Sequence, residues 1–264
     1  MPSASIIEGA QPLSASGSGA NADTGVAVVH GFTGNPVSVR PMADAFVTEG
    51  CTVEMPLLPG HGTTWRDMSR TRYSDWRAEV ERVVDDLRQR TSRVVLFGFS
   101  LGGTIALDLA EQKGDEIAAL VLVNTPILDR TEITAKLAPI LQYVLPVVPS
   151  SLAGIAKNDC AKGGDEKAYP YTPSKAGYSF TRELPRIRRD IGLVKCPVLV
   201  AYSAQDHTVP AANAKWLLKA LGDRATELVL ERSYHLALLD YDAVVLQHAT
   251  LDFVARTTDA GATG

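Results

Sequence analysis

A serine flanked by glycines, Gly98-Phe99-Ser100-Leu101-Gly102, is where this sequence first concentrates residues capable of chemistry. A serine hydroxyl is a weak nucleophile until a neighbouring base takes its proton and a carboxylate orients that base. The apolar run Val94–Phe97 precedes the serine, and a helical run opening with Gly102-Gly103 follows it. In that strand–turn–helix setting, small residues two before and two after the serine permit a tight, strained turn that presents the hydroxyl at a sheet edge. A glycine-rich strand-to-helix turn with an incidental serine would read the same locally, so the partners decide.

The partners should follow in the chain order acid, then histidine. Asp206, in Asp206-His207-Thr208-Val209-Pro210, comes just after the apolar run Val198–Ser203. His235, in Ser233-Tyr234-His235, comes just after Leu228–Glu231. The other histidines fit less well: His30 and His61 precede the serine, His207 adjoins Asp206, and His248 falls inside the last helical run. Acyl chemistry also needs donors for a developing oxyanion. The backbone N–H of Leu101 is one expectation. The other is the N–H of Phe32, in His30-Gly31-Phe32-Thr33-Gly34, where the glycines let the chain turn sharply after a short apolar run.

These residues require a scaffold that brings loop ends together. Apolar runs at Val26–Val29, Thr52–Leu58, Val94–Phe99, Ala119–Asn124, Pro197–Ser203 and Glu227–Glu231 read as strands, several buried on both faces. Helical periodicity lies between them: Val39, Met42, Ala43 and Phe46; Trp76, Val80, Val83 and Leu87; Leu101–Glu111; Asn213–Leu221; Asp242–Arg256. The alternation predicts an α/β fold, a mostly parallel, doubly wound sheet with helices on both faces and ligands at the strand C-termini. Ser14–Thr24 reads as a loop or hairpin end, and Thr257–Gly264 as a frayed tail. From Pro126 to Asp190 no strand is evident, and Ile133–Ile155 is apolar but broken by Pro139, Pro146 and Pro149. An ordinary helical excursion packed on the core and a cover over a lipophilic pocket both fit that pattern.

Composition narrows the class. The chain has 264 residues, 45% hydrophobic and 21% charged, with a net charge of −4 and a mean hydropathy of +0.02. Wholesale disorder is excluded, and a mildly acidic chain offers nothing to attract nucleic acid. Cys51, Cys160 and Cys196 form neither a zinc pattern nor a disulfide framework, so reduced, mostly buried thiols in a cytoplasmic protein are expected. No signal peptide or spanning helix is evident.

With these residues in hand, the sequence resembles the α/β-hydrolase superfamily, and more closely its bacterial monoacylglycerol lipases and small thermostable carboxylesterases. The resemblance runs through His30–Pro36, Arg40–Ala43, Pro59-Gly60-His61-Gly62-Thr63, Asp75-Trp76, Gly98–Gly103, Asp206–Pro210, Asn213-Ala214, Ser233–His235 and Leu239–Asp242. It implies an α/β-hydrolase core, 1–125 and 191–264, with a small helical cap at 126–190. It implies Ser100 as nucleophile, Asp206 as orienter, His235 as base, and Phe32 and Leu101 as oxyanion donors. Many relatives carry Met where Leu101 stands, which is harmless when a backbone N–H does the work. Composition alone makes Glu166 a solvated charge between Asp165 and Lys167. The resemblance instead makes it a reader of a glycerol headgroup, because it precedes Ala168-Tyr169-Pro170-Tyr171-Thr172-Pro173, and it places Ile155 on an acyl pocket.

The implied activity is hydrolysis of medium- to long-chain monoacylglycerols through an acyl-enzyme, with no metal and no cofactor. A broad carboxylesterase without glycerol recognition is the nearest rival, followed by an acyltransferase and by a non-catalytic binding module. The implied partner is a small lipid ester, without nucleic acid or stable membrane insertion. Leu145, Val147, Val148 and Leu152 are the candidate contacts with a lipid surface. Burial of these four against the core accounts for them equally well.

Overall fold

A computed structural model of the chain describes residues 5–129, 132–155 and 158–259. Seven strands form one sheet: β1 (Leu13–Ala15), β2 (Thr24–Val29), β3 (Thr52–Met55), β4 (Arg93–Phe99), β5 (Ala119–Val123), β8 (Val198–Ser203) and β9 (Ala225–Leu230), in the order β1-β3-β2-β4-β5-β8-β9. Only β1, on the edge, runs antiparallel to its neighbour. This is the expected fold class.

Strand periodicity builds two cores. Along β4, Val94 and Leu96 face one side, while Val95, Phe97 and Phe99 face the other. The first side is covered by α3 (Tyr73–Arg90), α4 (Leu101–Lys113) and α8 (Ala212–Leu221), through Trp76, Val80, Ile105 and Leu217. The second is covered by α1 (Arg40–Thr48) and α9 (Ala243–Asp259), through Met42, Phe46, Leu246 and Phe253. Every β4 residue after Arg93 is buried, as a central parallel strand requires.

Several expectations are corrected. Ser14 and Ala15, expected within a loop or hairpin end, belong to the strand Leu13–Ala15, paired with β3 in the register Leu13↔Met55. The strand expected over Thr52–Leu58 ends at Met55, ahead of Pro56, and a short helix, α2 (Trp65–Met68), was not anticipated. Between β5 and β8 the chain forms α5 (Glu132–Val144), β6 (Val147–Pro149), β7 (Tyr171–Pro173), α6 (Ser174–Thr181) and α7 (Leu184–Asp190). The small β6–β7 sheet corrects the expectation of helices alone. Three residues are too few to show a period-2 pattern. Pro139 lies inside α5 and does not end it. Thr257–Asp259 continue α9, where Thr258 Oγ1 bonds the Val254 carbonyl at 2.8 Å. The rest of the expected tail lies outside the described residues, as does the side chain of Ile133. All three cysteines are free and buried. Among the described residues, no helix is long and apolar enough to cross a membrane.

Candidate active site

Ser100 sits between β4 and α4 with φ +53° and ψ −122°, a left-handed backbone that a side-chain-bearing residue rarely adopts. The turn is so tight that side chains cannot fit at Gly98 or Gly102. A Cβ at Gly98 would collide with the backbone of Gly102 and Gly103, and one at Gly102 with the carbonyls of Val29 and His30. The Ser100 N–H is anchored on the Val123 carbonyl at 2.9 Å, so the elbow is tied to β5.

The three residues expected to act together meet here. His235 Nε2 lies 3.2 Å from Ser100 Oγ, and its Nδ1 lies 2.8 Å from Asp206 Oδ2. The second oxygen of Asp206 accepts the N–H groups of Thr208 and Val209, each at 2.7 Å, which aims the carboxylate. Burial alone would push the imidazole of His235 down. The charge and hydrogen bond of Asp206, with Glu166 and Asp159 behind them, outweigh burial and hold it above its ordinary value.

The loop after β2 closes over the serine, where a Cβ on Gly31 would touch Ser100 Cβ at 3.2 Å. Its orientation is set by His30. The Leu58 N–H donates to His30 Nε2 at 3.1 Å, so the ring proton sits on Nδ1, which donates to the Gly31 carbonyl at 2.9 Å. Burial, reinforced by the neighbouring His61, pushes His30 down to about 3 and keeps it neutral. The Gly31 carbonyl and the Phe32 N–H belong to one planar peptide, so this bond fixes the direction in which that N–H faces. The Phe32 ring is held edge-on against Trp76, with centroids 5.6 Å apart. Among the described residues, neither the Phe32 N–H nor the Leu101 N–H donates to an acceptor within the chain.

Glu166 corrects the reading from composition. It is buried, while Asp165 and Lys167 on either side are exposed. Its carboxylate lies against the bare Cα of Gly34, in the space that a Cβ would need. Its own carbonyl accepts from Asn35 Nδ2 at 2.7 Å, and its Oε2 has no hydrogen-bond partner. Burial pushes its carboxyl up to about 7, against the opposing pull of His235 and Ser38. Among the described residues, no hydrogen bond brings Ile155 to this cluster. It is half-buried, its N–H bonded to the Ser150 carbonyl at 2.9 Å, and it joins neither core of the described residues.

Sequence reasoning missed the residues that hold the loops. Asn124, at φ +46°, accepts the Ser203 N–H at 2.8 Å and donates to the His235 carbonyl at 2.8 Å, joining the ends of β5 and β8 to the histidine loop. Asp240 accepts four backbone N–H groups, from Ala161, Lys162, Tyr234 and Tyr241, at 2.7 to 2.9 Å. Asp159 accepts from His207. Only Asp240 carried a signal, as part of the Leu239–Asp242 stretch, and that stretch gave it no role.

Residues 20–242 match the family described as Serine aminopeptidase, S33. The chain belongs to this family. Within the family's α/β-hydrolase fold, the thermostable monoacylglycerol lipase of Bacillus sp. (strain H-257) is 36% identical over 252 residues, 95% of this chain and 96% of that protein. A carboxylesterase of Bacillus subtilis (strain 168) is 22% identical, covering 89% of this chain and 93% of its own. A solved structure from work on the metagenome-derived lipolytic enzymes LipS and LipT superposes with a TM-score of 0.87 at 31% identity, covering 96% of this chain and all of that one. The monoacylglycerol lipase of Paleococcus ferrophilus, at 18% identity and a TM-score of 0.76, shares the fold over 94% of this chain and 99% of its own. The protein is thus an α/β-hydrolase whose chemistry is ester hydrolysis.

Proposed function

We propose that the protein hydrolyses medium- to long-chain monoacylglycerols through an acyl-enzyme on Ser100. His235 takes the hydroxyl proton as Oγ attacks the ester carbonyl. The imidazolium that forms is stabilised by Asp206, and the N–H groups of Phe32 and Leu101 receive the oxyanion. As the tetrahedral intermediate collapses, the C–O bond to glycerol breaks and His235 returns the proton to the departing alkoxide. Water then adds to the acyl group with His235 again as base; the second tetrahedral intermediate breaks its bond to Ser100 Oγ, which takes the proton back from His235, and the fatty acid leaves. One lost oxyanion donor costs roughly 10²–10³ in rate.

The observation that carries the substrate class is Glu166, a buried carboxylate with a free oxygen beside the Phe32 loop and in electrostatic contact with His235. An acceptor held there suits a vicinal diol and has no use for a simple alkyl alcohol. Residues 126–190 serve as the cap in this reading. Its exposed apolar side chains, Ile140, Tyr143, Val144, Leu145 and Leu152, suit transient contact with a lipid surface. Val147 and Val148 are half-buried and contribute less.

A panel of 1-monoacylglycerols and p-nitrophenyl esters of matched chain length tests the reading. Glu166→Ala is expected to lower kcat/KM for the monoacylglycerols by about tenfold or more while sparing the simple esters, as losing a hydrogen bond to a charged group would. Equal losses on both, or none, would leave a carboxylesterase without headgroup recognition.

A further inference from the structure

We propose that Asp159 is a positioning residue for the Asp206–His235 pair, clamping from the insertion the two loops that carry them. Its Oδ2 accepts the His207 backbone N–H at 3.0 Å and the Thr208 hydroxyl at 3.3 Å. Its Oδ1 takes the His207 ring Nδ1 at 2.8 Å. All of these bonds fall on the two residues that immediately follow Asp206. The Asp159 main-chain carbonyl, in turn, accepts the N–H of Leu236, the residue after His235, at 2.9 Å.

The clamp is built from both sides. Asp240, on the histidine loop, accepts the Ala161 and Lys162 N–H groups just beyond Asp159, as well as that of Tyr234. Residues 159–162 are therefore held to both loops through buried carboxylates, and Asp159 itself is only 7% exposed. Such a carboxylate meets a large cost of burial unless its bonds are made, so these loops have one favoured register. The His235 ring contacts Ser100 and Phe99 from the elbow and Asp206 from the acid loop, and the charges acting on it are those of Asp206, Glu166 and Asp159. Asp159 touches none of the reacting atoms. It fixes Asp206 against Nδ1 and adds negative potential that favours the imidazolium.

This inference rests on the reading of Ser100, Asp206 and His235 as a catalytic set, which Ser100→Ala tests separately. Asp159→Asn keeps the shape, removes the charge and leaves one good acceptor oxygen where there were two. Its kcat on a monoacylglycerol is expected to fall about tenfold, the effect of one lost charge-assisted bond, with KM within about twofold. The acid limb of its kcat/KM profile should move to lower pH by about half a unit, because His235 loses a supporting charge. His207→Ala keeps the carboxylate and removes one donor. It should lower kcat about threefold and leave the acid limb in place. Circular dichroism and Tm monitor folding in both variants. A loss of kcat in Asp159→Asn that tracks its loss of Tm, with the acid limb unmoved, would reduce Asp159 to a structural residue and overturn the proposal. Wild-type kcat and pH profile would overturn it as well. If Asp159→Asn does not fold, an unchanged kcat in His207→Ala has the same force. Activity retained in Ser100→Ala would instead sink the catalytic set itself.

Discussion

The stretch between β5 and α6 is two unlike structures. Its later half, residues 158–173, is fastened to the core by directional polar bonds. Asp159 holds the His207 backbone and the Thr208 hydroxyl, and Asp240 holds residues 161 and 162. Asn35 holds the Glu166 carbonyl, and the Tyr169 hydroxyl accepts the Thr63 N–H at 2.7 Å and donates to the Gly60 carbonyl at 3.0 Å. Its earlier half, α5 and the turn after β6, presents Tyr143 at 70% and Leu152 at 80% exposure. Buried polar bonds fix one geometry, because each unmet group is costly. Exposed apolar side chains fix none, and they gain most when something apolar covers them. The half that holds the loops of Asp206 and His235 is thus the specified half.

The sharpest way to break this contrast is Asp240→Ala. It strands four partly buried backbone N–H groups and is expected to cost about 3 kcal/mol in denaturant unfolding, with kcat falling because the histidine loop loses its register. Burial alone would raise the Asp240 carboxyl, but its backbone N–H bonds more than reverse that and hold it below the usual carboxylate range. Its stabilisation is therefore complete above the unfolded carboxylate pKa and is lost as pH falls through the depressed folded value. Wild-type protein should accordingly lose stability on acidification in a way that Asp240→Ala does not.

Glu166→Gln comes next, with the opposite sign. Burial raises Glu166 to about 7, so between the unfolded carboxylate pKa and that value the folded state holds a proton that the unfolded state has released. Stability from this group falls as pH rises across that window. The neutral amide should therefore stabilise the protein near pH 7 by up to ~2–3 kcal/mol while weakening monoacylglycerol turnover. A Tm at or below wild type would mean that the carboxylate is better solvated than its burial indicates.

The smallest effect belongs to the exposed half. Leu152→Ser should change stability by no more than ~0.5 kcal/mol. It should leave turnover of dissolved short esters intact and lower turnover of monoacylglycerol presented in vesicles. A large loss of stability would show that this half is packed as tightly as the other.

Different parts of this molecule were readable to different depths. Ser100, Asp206 and His235 were legible because each comes just after a run that reads as a strand, and the parallel sheet brings such ends to one edge. Phe32 and Leu101 followed from the same logic. Glu166 was singled out only through resemblance, and its burial was hidden because two charged neighbours in sequence made it look solvated. Asp159 and Asn124 gave no local signal, because the partners that give them meaning lie 48 and 79 to 111 residues further along the chain. β1, β6 and β7 are made by pairing, and three residues carry too little pattern to announce it.

The central claim is that Ser100 is an acyl-accepting nucleophile driven by His235 and Asp206. The direct test is a fluorophosphonate probe followed by mass spectrometry of the intact protein and its peptides. A single adduct on Ser100, absent in Ser100→Ala and at least about 10²-fold slower to form in His235→Ala, is predicted from the activation a general base supplies. Labelling that persists in Ser100→Ala, or wild-type protein that hydrolyses monoacylglycerol while Ser100 stays unlabelled, would contradict it.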